Sequence, residues 1–376
     1  MVNDSRLIDM RIWTGAERTT VYFDSLRGKK VGVVGNQSSL ILKTHLVDSL
    51  LAANIDVVKV FSPEHGFRGD ADAGEHVKTT IDKKTGVPLF SLYGSSKKPT
   101  KESLKGIDIM LFDLQDVGVR FYTYISTLHY VMEACAENNI PLIILDRPNP
   151  NGNYVDGPVL DPKFKSFVGM HTVPIVHGMT IGEYGQMING EGWLNDAIKC
   201  DLTVVSCVNY NHQTWYHLPI PPSPNLRTDN SIQLYPSLCL LEATTVTVGR
   251  GTDHPFEVYG HPDFPELPYN FTPKPGYGSK SPKHNGKMCY GVNLSDSLAG
   301  WNIRIDKLNL DYLMHANELL DGKLFIDREK FFNLLAGNDI LIKQLSEGMS
   351  EEDIRATWQD DLSAFKLIRE KYLIYD

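Results

Sequence analysis

Strands buried on both faces of a parallel sheet read as unbroken apolar runs, and such runs recur at 31–35 (VGVVG), 57–61 (VVKVF), 107–112 (IDIMLF), 141–145 (PLIIL) and 202–206 (LTVVS). Helical stretches near 43–53, 126–138 and 180–190 fall between them. Alternation of this kind predicts parallel strands joined by crossover helices, a doubly wound α/β unit. Thr180 followed by Glu183 has the spacing of a capping box and marks the start of the third helix. After it, PIPPSPN at 219–225 makes a stiff, extended connector, and a domain boundary is expected near residue 230. Beyond it, short strands at 245–248, 290–294 and 301–305 mix with helices at 311–320, 328–335, 339–347 and 350–372, a smaller α+β unit. The expected division is therefore 1–230 and 231–376.

The polar residues are not spread evenly over this frame. Three apolar runs empty directly into charged and aromatic clusters: PEHGFRGDADAGE, DLQDVGVRFYTY and DRPNPNG. An open α/β sheet builds its ligand site at the carboxyl ends of its strands. Segment 146–180 is rich in Pro, Gly and Asn without a clear period, a long loop of the kind that is usually functional.

Bulk properties narrow the chemistry. With 376 residues, 42% hydrophobic and 22% charged, the chain is long enough for two domains. A formal charge of −9 argues against a phosphate-backbone partner, so no nucleic acid is expected. Lys83, Lys84, Lys97, Lys98, Lys101 and Lys105 lie between elements and read as a solvated surface. The five cysteines show no CxxC pairing, which argues against a cysteine zinc site. No apolar stretch approaches the ~18 residues of a membrane span, and MVNDSRLIDMRIWTG lacks the layout of a signal peptide. The expected location is cytoplasmic as the chain reads, or periplasmic or cell envelope if a signal was trimmed. No GxGxxG follows the first strand and no GxxxxGK[ST] is present, so neither a nicotinamide nor any other cofactor is expected.

Within the clusters, Glu64, His65 and Arg68 share one glycine-bearing loop, a set suited to acid/base chemistry on an anionic substrate. The plainer account is an Arg68–Glu64 brace. Asp113, Gln115, Asp116, Arg120, Tyr122 and Tyr124 alternate hydrogen-bonding groups with aromatic faces, the mixture that sugars require, although an Asp116–Arg120 contact would equally stiffen a loop. Asp146 and Arg147, ahead of Asn149, close the third strand; Asp113 with Asp146 would also offer oxygens to Mg²⁺, but no spaced histidine–carboxylate motif supports a metal and none is expected. His177 is a candidate for substrate contact, whereas helix capping accounts for Glu183. In TVGRGTDHPFEVYG, Arg250, Gly251 and Thr252 fit an anion clasp better than a phosphate loop.

Taken together, EHGFRGDADAGE, DLQDVGVRFYTY, LDRPNPNG with DGP, HGMTIGEYGQMINGE, PPSPN, GRGTDHPFEVYG and the closing WxxxLxxFKLIREKYLIYD resemble the bacterial family, long catalogued as a domain of unknown function, now named for NamZ. The resemblance spans nearly the whole chain. It implies an exo-β-N-acetylmuramidase, which releases N-acetylmuramic acid from the non-reducing ends of peptidoglycan fragments, built as a Rossmann-like N-terminal domain with a smaller C-terminal domain closing the active cleft. Carried onto this sequence, it points to Glu64 as general acid. Glycosidic cleavage needs a second carboxyl group, for which Glu75 is first choice and Asp116 and Glu183 are rivals; His65 would tune the acid. The lactyl carboxylate of muramic acid calls for a guanidinium or N–H donors, with Arg68, Arg120, Arg147 and Arg250 as candidates. Tyr122, Tyr124 and Tyr259 would stack on the sugar, and Asn225 of PPSPN completes the binding set. The rival readings are a muropeptide-binding protein without catalysis, betrayed by stable binding of intact disaccharide, and a metal-dependent phosphoesterase using Asp113 and Asp146, betrayed by loss of activity in chelator.

Overall fold

A computed structural model describes residues 10–64, 66–68, 80–94, 96–296, 304–322 and 328–376. Its strands are β1 (Lys30–Gly35), β2 (Leu40–Ile41), β3 (Thr44–His45), β4 (Asp56–Ser62), β5 (Thr80–Ile81), β6 (Pro88–Ser91), β7 (Ile109–Asp113), β8 (Leu142–Leu145), β9 (Leu202–Val205), β10 (Val258–His261), β11 (Tyr269–Phe271) and β12 (Cys289–Asn293). Seven of them form the central sheet in the order β5-β6-β4-β1-β7-β8-β9, in which β5 alone is antiparallel to its neighbour. Every residue of β7 and β8 is buried. That burial on both faces is why these strands read as continuous apolar runs.

The sheet is doubly wound, as expected, and helices Leu46–Ala52, Tyr124–Glu137 and Ile181–Gly190 pack against it. The third begins with the predicted cap: the Thr180 hydroxyl accepts the Glu183 N–H at 3.2 Å while the Glu183 carboxylate accepts the Thr180 N–H at 2.9 Å. The C-terminal part holds an antiparallel sheet, β10-β12-β11, and the helices Asp311–Leu319, Glu329–Ala336, Leu341–Ser346, Glu351–Ala356 and Gln359–Arg369.

Several elements differ from their sequence signals. The stretch 245–248 makes only a single bridge, Thr247 to Gly260, because its neighbours turn away to form the Gly249–Gly251 corner. Residues 304 and 305 are irregular, and 301–303 lie outside the described residues. The long helix expected over 350–372 breaks at Thr357–Trp358. An unpredicted helix, Asp229–Leu238, follows the proline-rich connector and tolerates Pro236 near its end. Segment 146–180 is irregular apart from the 3₁₀ turn Pro162–Phe164, yet most of it is buried. Among the described residues, no helix is long and apolar enough to cross a membrane.

Candidate active site

The winding direction reverses between β1 and β7. Segments leaving those strands diverge there, and the crevice at their carboxyl ends is where doubly wound sheets take ligands. Short hydrogen bonds stitch its floor. Ser39 donates to the Asp113 carbonyl at 2.5 Å, and Ser38 donates to Asn36 at 2.6 Å while accepting the Gln115 N–H at 3.1 Å. Asn36 in turn donates to the Tyr124 hydroxyl at 2.7 Å, which fixes the first residue of the helix Tyr124–Glu137 against the end of β1.

Above this floor sits a hollow of about 90 Å³ whose walls include Glu64, Tyr122, Tyr124, Ser223, Tyr235 and Arg250. Glu64 stands two residues beyond the end of β4. Burial, then the charge of Glu64 and a hydrogen bond with it, pushes the nearby Tyr93 hydroxyl up to about 12. Tyr122 donates to the Pro222 carbonyl at 3.0 Å and meets Tyr124 edge-on at 4.9 Å between ring centres, so the rigid connector holds both tyrosines. From the C-terminal side comes Arg250, whose Nε and Nη2 bind one Glu242 oxygen at 2.9 and 2.7 Å and whose guanidinium lies 5.0 Å from the centre of the Phe256 ring. Its Nη1 is not part of that pair.

Behind the tyrosines lies Asp116, wholly buried. Its Oδ2 accepts the Gly118 N–H at 2.7 Å, and its Oδ1 has no hydrogen-bond partner among the described residues. Burial pushes this carboxyl up to about 7, against the pull of the Gly118 and Val117 N–H groups. Gly118 itself has φ +76°, and a Cβ there would sit 2.3 Å from the Asn149 amide, so the turn presenting Asp116 requires glycine. His177 Nε2 stands 3.9 Å from Asp116 Oδ2, and its Nδ1 accepts the Met179 N–H at 3.3 Å. The neutral ring therefore carries its proton on Nε2, facing the aspartate; burial holds its pKa down to about 3.

Other residues singled out in the sequence turn into the protein. Arg147 binds Asp113 through Nε at 2.6 Å and Nη2 at 3.0 Å, a buried pair across adjacent strands. Asp146 accepts from Thr180, Tyr375 and the Gly182 and Arg147 N–H groups, and burial still pushes it up to about 6. Arg120 donates to the carbonyls of Pro158, Val173, Leu335 and Ala336 at 2.8–2.9 Å. Arg68 pairs with Asp82 at 2.7 Å and Asp48 at 3.1 Å, at the edge of the sheet and not with Glu64. Gln115 bridges the Asp116 and Pro148 carbonyls, Asn149 donates to Met179, Asn225 to Gly278 and Thr252 to Gly249. Glu183 receives His212 at 2.9 Å beside its capping bond, and Tyr259 bonds His315 at 2.8 Å. His65 and Glu75 lie outside the described residues. Asp113 and Asp146 thus spend their oxygens on protein donors, and no cluster of three His, Cys, Asp or Glu among the described residues is placed to hold a metal.

Sequence reasoning passed over Tyr235, Ser223, Tyr93 and the Asn36–Ser39 floor. The signal for that floor is the run of amide and hydroxyl groups, Asn36 to Ser39, directly after the first buried strand.

Comparison with known proteins gives the family. Two family models, the N-terminal and C-terminal parts of the exo-β-N-acetylmuramidase NamZ, match residues 31–230 and 233–375. The peptidoglycan β-N-acetylmuramidase NamZ of Bacillus subtilis is 40% identical over 372 residues, covering 94% of this chain and 89% of the relative. Among solved structures, a DUF1343 family protein of Bacteroides fragilis superposes with TM-score 0.88 at 48% identity over 97% of this chain and 99% of that one. A second from the same organism reaches 0.82 at 29% identity, over 98% and 100%. With a doubly wound sheet, a carboxylate-bearing hollow at its switch point and matches over nearly its full length, the chain belongs to the NamZ family of exo-β-N-acetylmuramidases.

Proposed function

We propose that this chain is an exo-acting β-N-acetylmuramidase that removes terminal N-acetylmuramic acid from the non-reducing ends of peptidoglycan fragments, with Glu64 as proton donor to the glycosidic oxygen. Family membership supports the reaction class. One observation carries the assignment of the acid: Glu64 is the single carboxyl group among the described residues lining the hollow. Tyr122, Tyr124 and Tyr235 beside it offer ring faces to a sugar. Arg250, the one guanidinium among the described residues on the same walls, is the proposed partner of the lactyl carboxylate.

A second carboxyl is needed to attack or to activate water. Glu75, eleven residues after Glu64 in the sequence, is the first choice, and Asp116 is the alternative because its charge is felt by both wall tyrosines. A wall-derived substrate favours an envelope or periplasmic site of action.

Replacing the acid tests the reading. Glu64→Gln keeps the shape and removes the proton, and should lower turnover of a chromogenic muramide by about 10²–10⁴-fold. Activity within a few-fold of wild type would exclude Glu64 as the donor.

A further inference from the structure

A second hollow, of about 650 Å³, opens beside the first and is assigned no role by the cleavage chemistry. The two have no lining residue in common, but residues consecutive in the chain divide between them. Leu226 lines the first and Arg227 the second; Arg250 lines the first, and Gly251 and Thr252 the second. Gly251 makes this contiguity possible: at φ +80° its backbone lies against the Lys274 carbonyl, where a Cβ would stand only 2.5 Å away. Lys274 N–H returns a bond to the Gly251 carbonyl at 2.9 Å, and Arg227 ties Pro224 to Tyr277 through their carbonyls at 2.7 and 3.0 Å. The groove is therefore braced to the walls of the first hollow.

Its surface combines rings with positive charge. Tyr269 and Phe271, alternate residues of β11, lie with ring centres 5.8 Å apart at 35°, and Tyr277 is 60% exposed. Although the chain carries a net −9, residues 268–295 contain four lysines and no Asp or Glu. Of these, Lys283 turns inward onto the carbonyls of Leu241, Glu242, Thr244 and Val246. Lys274 lines the groove with Arg227, against the single carboxylate of Asp253.

We infer that this groove holds the leaving portion of the glycan, the sugars that follow the cleaved bond, with their rings over Tyr277, Tyr269 and Phe271. An exo-acting enzyme encloses only the terminal unit, so the rest of the chain must leave by an adjoining open surface. In peptidoglycan the lactyl-bearing acidic sugar alternates with a neutral one. The first carboxylate beyond the cleaved bond therefore belongs to the second sugar of the leaving chain, and Lys274 with Arg227 supplies its counter-charge. The inference rests on the muramidase reading and adds to it a preference for longer, peptide-free glycans.

Three substrates separate the possibilities: a chromogenic muramide whose small aglycone does not span the groove, the muramyl-glucosamine disaccharide, and the tetrasaccharide of two such repeats. Wild type should show kcat/KM about three- to tenfold higher on the tetrasaccharide than on the disaccharide, the range of an aromatic contact plus an exposed ion pair. Tyr277→Ala and Lys274→Glu, both at exposed positions, should each bring that ratio towards one and leave the muramide rate unchanged. Added salt should weaken the wild-type preference. A wild-type ratio near one, or a ratio that survives both substitutions, overturns the inference. Failure of wild type to cleave the muramide would instead overturn the muramidase reading, on a substrate that never enters the groove.

Discussion

Arg120→Lys separates a role in substrate binding from a role in holding the fold. The guanidinium is fully buried and makes four bonds of 2.8–2.9 Å to neutral carbonyls, with no carboxylate paired to it among the described residues. At about 1.5–3 kcal/mol for each charge-assisted bond, the four contribute roughly 6–12 kcal/mol gross. Burial opposes this: it drags the guanidinium pKa down from 12.5 to about 9, a cost of roughly 5 kcal/mol. Lysine keeps the charge and that cost but has one nitrogen, which reaches one pair of carbonyls and abandons the other. Losing two bonds predicts a destabilisation of about 3–6 kcal/mol, a large part of the 5–15 kcal/mol that holds a typical domain. Urea unfolding measures it directly. Amide exchange should quicken across Glu329–Ala336, whose last carbonyls are among the four acceptors, while kcat and KM per folded molecule stay near wild type. Stability within about 0.5 kcal/mol of wild type, together with a tenfold rise in KM for the muramide, would refute the reasoning and place the guanidinium on the substrate.

Two other buried groups give predictions of opposite sign. Because the Asp116 pKa is raised from 3.8 to about 7, the carboxyl favours the fold while protonated, and that contribution is lost as pH rises from about 4 through about 7. Asp116→Asn should therefore stabilise the protein at pH 8 by up to about 4 kcal/mol relative to its effect at pH 4; the same change in urea midpoint at both pH values would reject this. Asp113→Asn leaves Arg147 buried against a neutral partner and should cost about 3–5 kcal/mol with activity per folded molecule retained. A loss under about 1 kcal/mol in thermal or urea unfolding would show that the pair is not what secures β7 to β8.

The central sheet was legible because its inner strands are buried on both faces and bounded by polar clusters. Short strands were not. β10 and β11 have only four and three residues, too few to display a period, and the helix Asp229–Leu238 is disguised by Pro236, whose missing N–H leaves the Ile232 carbonyl to accept the Asn151 side-chain amide at 3.2 Å instead. At the site, the strand-end reading located the crevice, and Glu64, Tyr122, Tyr124 and Arg250 do converge on one hollow. Spacing alone did not tell them from Asp113, Asp146 and Arg147 on the same rim, since the sequence records a residue type and not the direction in which its side chain turns.

That ambiguity has a physical origin. Where parallel strands end, carbonyl and N–H groups lose their ladder partners, and the rim must be closed by the same charged and amide side chains that would serve a ligand. Asp146 gathers the Gly182 N–H and the hydroxyls of Thr180 and Tyr375, and Arg147 reaches both Asp113 and the Leu40 carbonyl. Arg120 needs acceptors without helical partners, and the irregular segment 146–180 supplies two of them at Pro158 and Val173. The lack of regular structure that suggests a ligand loop is thus also what a buried guanidinium requires. Motif residues that face the hollow can act on substrate directly; Asp113, Asp146, Arg147 and Arg120, which turn away from it, act by keeping the hollow's walls in place, so substitutions there should appear in stability first and in catalysis only through the fraction folded.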